Sequence, residues 1–228
     1  MGGFKNPSLN FDLKQGLYEK ILDFLEKSIE LMVINYNISG DKLENSEEKI
    51  TAHLVEMYLN EPSVRNKLFI QSIPFKFINE SVENFDINTN TYAGRVDIKV
   101  VSSDWLSCEN NKDYYTIECK RIDGSNDLNK KYVVQGVKRF VVPPIKYPSY
   151  HNKNIMLGYI VKEININKTI SSIGNIHRIE LSDFIKNDIL CIINKSSINH
   201  CTCESSYNIE GSVLLLNHLF YDISSIIK

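Results

Sequence analysis

The sequence predicts an α/β fold, a single domain with a central mixed β-sheet flanked by helices. Three observations lead there: helical stripes at the start of the chain, two alternating segments at its middle, and one nearly unbroken apolar run, NIMLGYIVK, from Asn154 to Lys162. Alternating strands need one covered face, whereas a continuously apolar strand is buried on both, which fits a sheet between two helical layers. At 228 residues the chain is long enough for one sizeable core, and no repeat, low-complexity tract or linker divides it.

Asp12 to about Asn35 reads as a helix because Leu17, Ile21, Phe24, Leu25, Ile29 and Leu31 form a broad stripe. A polar, Gly-containing connection follows. Asn45-x-x-Glu48 then fits a capping box, opening a second helix that carries Ile50, Leu54 and Tyr58 on one face and ends at Glu61-Pro62. Leu68 to Phe77 is the first strand candidate, at an edge or a bulge because of Pro74. Tyr92 to Val101 and Tyr114 to Ile122 are the next two, joined by a long hairpin loop. Asp127 to Val141 is helical and stops at Pro143-Pro144. Ile179 to Ile189 is expected as a short helix. One or two strands complete the tail, with VLLLNHLFYDI as strand or buried helix.

Composition narrows the function. Lys and Arg total 26 against 28 Asp and Glu, for a net charge of −2, which does not advertise a dedicated nonspecific nucleic-acid binder. The basic charge is local instead, in Lys120-Arg121, Lys130-Lys131 and Lys138-Arg139. The start of the chain lacks a secretory layout and no apolar run reaches membrane-span length, so a cytoplasmic protein is expected. Asn6 speaks against reading Met-Gly as an acylation signal. Five cysteines, an odd number in such a context, point to reduced thiols. His200-Cys201-x-Cys203 has a metal-like spacing, yet strand alternation accounts for it equally well. The five histidines show no HxH or HExxH spacing, and no phosphate-binding glycine loop is present. Trp105, Tyr114 and Tyr115 fit base stacking or, more simply, packing.

The chemistry concentrates on the middle strands. In Gly94-Arg95-Val96-Asp97-Ile98-Lys99, the period of two sets Asp97 opposite Val96 and Ile98. In Ile117-Glu118-Cys119-Lys120, Glu118 and Lys120 share a face. Adjacent antiparallel strands would set Asp97 beside Glu118. Two neighbouring carboxylates repel, and a hard divalent cation relieves the repulsion. An ammonium one pleat away is then placed to orient or deprotonate a metal-bound water, the elements of metal-assisted phosphodiester hydrolysis.

VDIKV followed by IECKR resembles the D…(D/E)xK signature of the PD-(D/E)XK nuclease superfamily, over roughly Asn45 to Lys162. The resemblance implies a restriction-endonuclease-like αβββαβ core and a Mg²⁺-dependent endonuclease, with Mn²⁺ able to substitute. It implies Asp97 and Glu118 as metal ligands, joined by the backbone carbonyl of Cys119, and Lys120 as the catalytic lysine. Many members add an acid from the preceding helix: Glu48 matches best, with Glu47 and Glu56 as rivals. Many also place a polar residue on the helix after the lysine, here Gln135, with Arg139 one turn later. By analogy the substrate is nucleic acid, DNA before RNA, and the setting is restriction or anti-phage defence with a possible partner protein. Homodimerisation and the absence of any membrane partner complete the expectation. The hairpin between Asp97 and Glu118 is longer than this pattern favours.

Overall fold

Tyr18, Ile21, Phe24, Leu25, Ile29 and Met32 lay a fully buried stripe along helix α1 (Pro7–Ser39), which is longer at both ends than the periodicity predicts. The computed structural model describes residues 7–68, 75–86, 91–102, 114–147, 151–195 and 199–228; Pro74, Trp105 and Cys108 lie outside them. After α1 come α2 (Glu47–Leu54), widening into a π-helical turn at Val55–Leu59, and α3 (Pro62–Lys67). Strands β1 (Phe75–Asp86), β2 (Thr91–Ser102) and β3 (Tyr114–Ile122) follow. A second broken helix has α4 (Asn126–Lys131), a π turn at Tyr132–Val137 and α5 (Lys138–Val141). Strand β4 (Lys153–Ile160), helix α6 (Ile166–Leu181) and strands β5 (Ile185–Lys195), β6 (Asn199–Ile209) and β7 (Ser212–Asp222) follow, before a short 3₁₀ turn at Ser224–Ile226.

The strands form one seven-stranded mixed sheet, ordered β1-β2-β3-β4-β7-β6-β5. The first three run antiparallel, β4 lies parallel to β3, β7 parallel to β4, and β6 and β5 return antiparallel. The apolar run on β4 is buried along almost its whole length, as its composition predicts. One face packs Ile98, Ile117, Leu157 and Tyr159 against α1 and α2. The other packs Ile122, Met156, Ile160 and Phe220 against the broken helix and α6. No helix among the described residues is long and apolar enough to cross a membrane.

Several expectations need correction. The first strand is β1, displaced towards the C-terminus from Leu68–Phe77; residues 69–74 lie outside the described set. The expected helix at Ile179–Ile189 straddles the end of α6 and the start of β5. Asn165 starts that helix instead, its side chain accepting the Lys168 N–H at 3.0 Å. The N-cap of α2 is Ser46 rather than Asn45. The Asn45 carboxamide accepts from Arg121 Nη1 at 2.9 Å, so it serves the neighbouring strand and not the helix. VLLLNHLFYDI is a strand, one of the two forms expected of it, and β5 and β6 precede it. Nor are all thiols reduced. Cys119 and Cys201 are buried thiols, while Cys203 is disulfide-bonded.

A polar chain runs through the second core. Ser205 Oγ donates to the Tyr207 hydroxyl at 2.8 Å, so its contact with His218 Nε2 at 2.7 Å must be one in which the imidazole donates. His218 Nδ1 then accepts from the Tyr132 hydroxyl at 2.9 Å. At the other end Tyr207 donates to His177 Nε2 at 2.6 Å, and His177 Nδ1 lies 3.3 Å from Asp188 Oδ1. With both imidazoles neutral, every link runs in one direction. Burial enforces that neutrality, lowering His177 and pushing His218 down to about 3.

Gly158 marks the tightest point of the sheet. A Cβ there would meet Phe220 Cδ1 at 2.5 Å and Cε1 at 2.9 Å, because register sets Gly158 directly beside Phe220. Gly158→Ala should cost about 1–3 kcal/mol through overpacking. Gly136→Ala should cost less, since its clash at 2.5 Å is with the flexible end of Met156. Thermal melts of both variants check the order, which fails if Gly136→Ala melts first.

Candidate active site

The β2–β3 ladder is regular from Val101–Tyr114 to Ile98–Ile117 and stops there, whereas β3 continues to Ile122 alongside β4. Alternate N–H groups of β3 therefore face a gap that β2 has left, and an unsatisfied buried donor costs about 1–3 kcal/mol. Carboxylates fill it. Asp97 Oδ2 accepts the Cys119 N–H at 2.7 Å, and Glu47 Oε2 accepts the Arg121 N–H at 3.0 Å. The Cys119 carbonyl opens onto the same gap and receives Lys120 Nζ at 2.6 Å. In β1, Glu80 turns to a φ of 52°, and its carboxylate pairs with Arg95 at 3.2 Å on the rim.

Lys120 Nζ is the centre of the cluster. It lies 2.8 Å from Glu118 Oε1, 2.9 Å from Glu47 Oε1 and 3.7 Å from Asp97 Oδ2. Arg139 Nη1 reaches the same Glu118 oxygen at 2.8 Å and also donates to the Tyr147 hydroxyl. Tyr147 in turn donates to the Arg95 carbonyl at 2.7 Å. Glu47, Asp97 and Glu118 thus face Lys120 and Arg139, three acids to two cations. Glu118 is fully buried, and burial followed by the Asp97 charge raises it to about 7 against the pull of Lys120 and Arg139. Burial also raises Asp97. Burial acts to lower Lys120, but Glu118, Asp97 and Glu47 outweigh it and hold the ammonium charged.

Asp97, Glu118 and Lys120 come together. Glu118 and Lys120 share a face as expected, but Val96 and Ile98 fall in opposite core layers, so Asp97 sits where the alternation of β2 breaks rather than opposite both. The helix acid in contact with Lys120 is Glu47. Glu48, the expected choice, is exposed and lines the cavity mouth, and Glu56 is exposed on the π turn. Gln135 is exposed too and lines a separate cavity of about 270 Å³ with Val142 and Lys146. Arg139, one turn later, borders that cavity and makes the contact with Glu118. Arg95 and Tyr147 were not foreseen. Arg95 was legible as the residue two before Asp97, on the same face of β2; Tyr147, beyond the Pro143-Pro144 stop, carries no comparable signal.

The cluster opens into a cavity of about 420 Å³ lined by Glu47, Glu48, Thr51, Asp97, Arg95 and Arg121. Its donors suit a hard divalent ion: carboxylate oxygens of Asp97 and Glu118 and the Cys119 carbonyl all converge on the position of Lys120 Nζ. The second oxygen of Glu118, Oε2, is buried and makes no hydrogen bond among the described residues, an acceptor already stripped of water. A Glu/Glu/His group elsewhere, Glu26, Glu30 and His200, is a separate arrangement. No family model, curated protein or solved structure matches the chain.

Proposed function

We propose that the chain is a divalent-metal-dependent nuclease of restriction-endonuclease-like fold, hydrolysing phosphodiester bonds of DNA in preference to RNA. One observation carries the reading: Asp97, Glu118, the Cys119 carbonyl and Lys120 converge where β2 parts from β3, at a cavity rimmed by Arg95 and Arg121. The element order supports it, a helix before an antiparallel β1-β2-β3 meander and a helix crossing to a parallel β4.

Asp97, Glu118 and the Cys119 carbonyl would hold Mg²⁺ or Mn²⁺. The chemistry such an ion supplies is polarisation of a phosphoryl oxygen and a lowered pKa for a bound water. Glu47 and Arg139 hold Lys120 and Glu118 in register. The Lys120 ammonium orients the attacking water and offsets phosphate charge, while Arg95 and Arg121 bind the flanking backbone. Work in restriction or anti-phage defence, as a cytoplasmic homodimer with or without a defence partner, extends the same proposal by analogy.

A second reading has a specific observation behind it. Lys120 and Arg139 both close on one oxygen of Glu118, an arrangement that a nuclease-fold binding subunit without activity would also tolerate. Incubating the protein with plasmid and with RNA in Mg²⁺, Mn²⁺ and EDTA separates the two. Cleavage in either metal that EDTA stops is the expected result, and intact substrates in all three, with metal bound, favour the binding subunit.

A further inference from the structure

Strand alternation splits the His200-Cys201-x-Cys203 motif across the sheet. Cys201 and Cys203 share one side, with sulfurs 3.6 Å apart, in the core that includes α6. His200 takes the opposite side, beneath α1. Its ring stacks on Tyr221, the residue beside it on β7, with centroids 5.5 Å apart and planes at 27°. The side chain is 1% exposed, and Nε2 comes within 3.4 Å of Glu26 Oε1. Glu30, one helical turn on from Glu26, completes a group whose ligand atoms all lie within 4.8 Å of one another.

We propose that Glu26, Glu30 and His200 form a second metal site, for a divalent transition ion of the Zn²⁺ class, which pins the middle of α1 to β6. Two carboxylates one turn apart repel on a helix, and this pair turns that repulsion towards a buried imidazole. The cation closest in sequence, Lys27, pairs with Asp23 at 2.7 Å.

The donor set decides the ion. One imidazole nitrogen with two carboxylate oxygens is a borderline set, favouring Zn²⁺ over Mg²⁺, whose sites are all oxygen. Ligand bonds of about 2.0–2.2 Å need ligand atoms no more than roughly 4 Å apart, a closure that Glu side-chain rotation supplies. Glu26 and Glu30 are half-buried, leaving an entry path and room for a water ligand, while His200 is prepositioned by its stack on Tyr221.

The site is independent of the proposed nuclease centre, and the test keeps them apart. Full-length protein carrying Asp97→Ala and Glu118→Ala is titrated with Zn²⁺, and with Co²⁺ as a spectroscopic probe. One tight equivalent that raises Tm is expected, with visible cobalt bands and no thiolate charge-transfer band. Adding Glu26→Gln and Glu30→Gln should weaken binding well over tenfold, since losing an outer-shell partner alone costs about 10- to 100-fold. His200→Ala should do the same. Because His200 is buried, the two half-exposed glutamates keep the test decisive if that variant misfolds. Unchanged affinity and Tm shift in the double Gln variant, or a thiolate band, would overturn the proposal.

Discussion

Lys120→Met should cut nucleic acid at least about a hundredfold more slowly than wild type in Mg²⁺, the scale of a lost acid–base or water-positioning group. Glu118→Gln should abolish cutting. The two variants should part in stability. Without Lys120, three carboxylates face Arg139 alone, and breaking a buried pair costs about 3 kcal/mol or more. Its melting point in EDTA should therefore fall and recover in part on adding Mg²⁺. Without the Glu118 charge, two acids face two cations, so folding should be retained. Glu47→Gln should slow cutting more than Glu48→Gln, because only Glu47 touches both Lys120 and the Arg121 N–H. Plasmid cleavage rates and paired melts in EDTA and Mg²⁺ read all four variants. If Lys120→Met cuts as fast as wild type, Lys120 is a counter-charge and the mechanism falls.

Acid should expose the buried imidazole of His218. Its folded pKa is depressed to about 3, while an unfolded histidine titrates near 6.5. A depressed pKa means that the unfolded chain binds the extra proton, so the stability contribution is full above about 6.5 and is lost as pH falls towards 3. The slope is about 1.4 kcal/mol per pH unit for one such group. His177, also depressed, adds in the same direction. Glu118, raised to about 7, acts oppositely between its unfolded value and 7, so the wild-type curve should steepen only below that window. Urea unfolding of wild type and His218→Gln at pH 6.5 and pH 4.5 isolates the histidine. Wild type should lose about 2–3 kcal/mol more than the variant across that interval, and parallel losses would refute the neutral chain.

What could be read in the sequence follows from how each signal is made. Period-two alternation needs only local information, so β3 falls at Tyr114–Ile122 as predicted and Glu118 and Lys120 share a face, whereas the break in β2 between Val96 and Ile98 is not a local signal. The choice of helix acid depends on where α2 begins, and the cap at Ser46 sits one residue beyond the expected Asn45. On a helix, one residue is a rotation of roughly 100°, enough to leave Glu48 outside and bring Glu47 to Lys120. Gln135 and Arg139 repeat the lesson. The wider π turn at Tyr132–Val137 shifts the helical phase, so the residue one turn later makes the contact. The boundary between α6 and β5 was lost because short apolar runs such as those around Ile179 and Ile189 suit either period.

The carboxylate that bonds the Cys119 N–H also bears on how the sheet finds its alignment. Edge-on pairing of β2 and β3 is specified by few residues, since regular pairing ends at Ile98–Ile117. A slip of β2 by one residue would turn Asp97 into the opposite apolar layer and leave the Cys119 N–H open. The misaligned sheet would then bury a lone charge and strand a main-chain donor at once. The Asp97 carboxylate thus acts as a proofreader of strand registry, rejecting the neighbouring alignment.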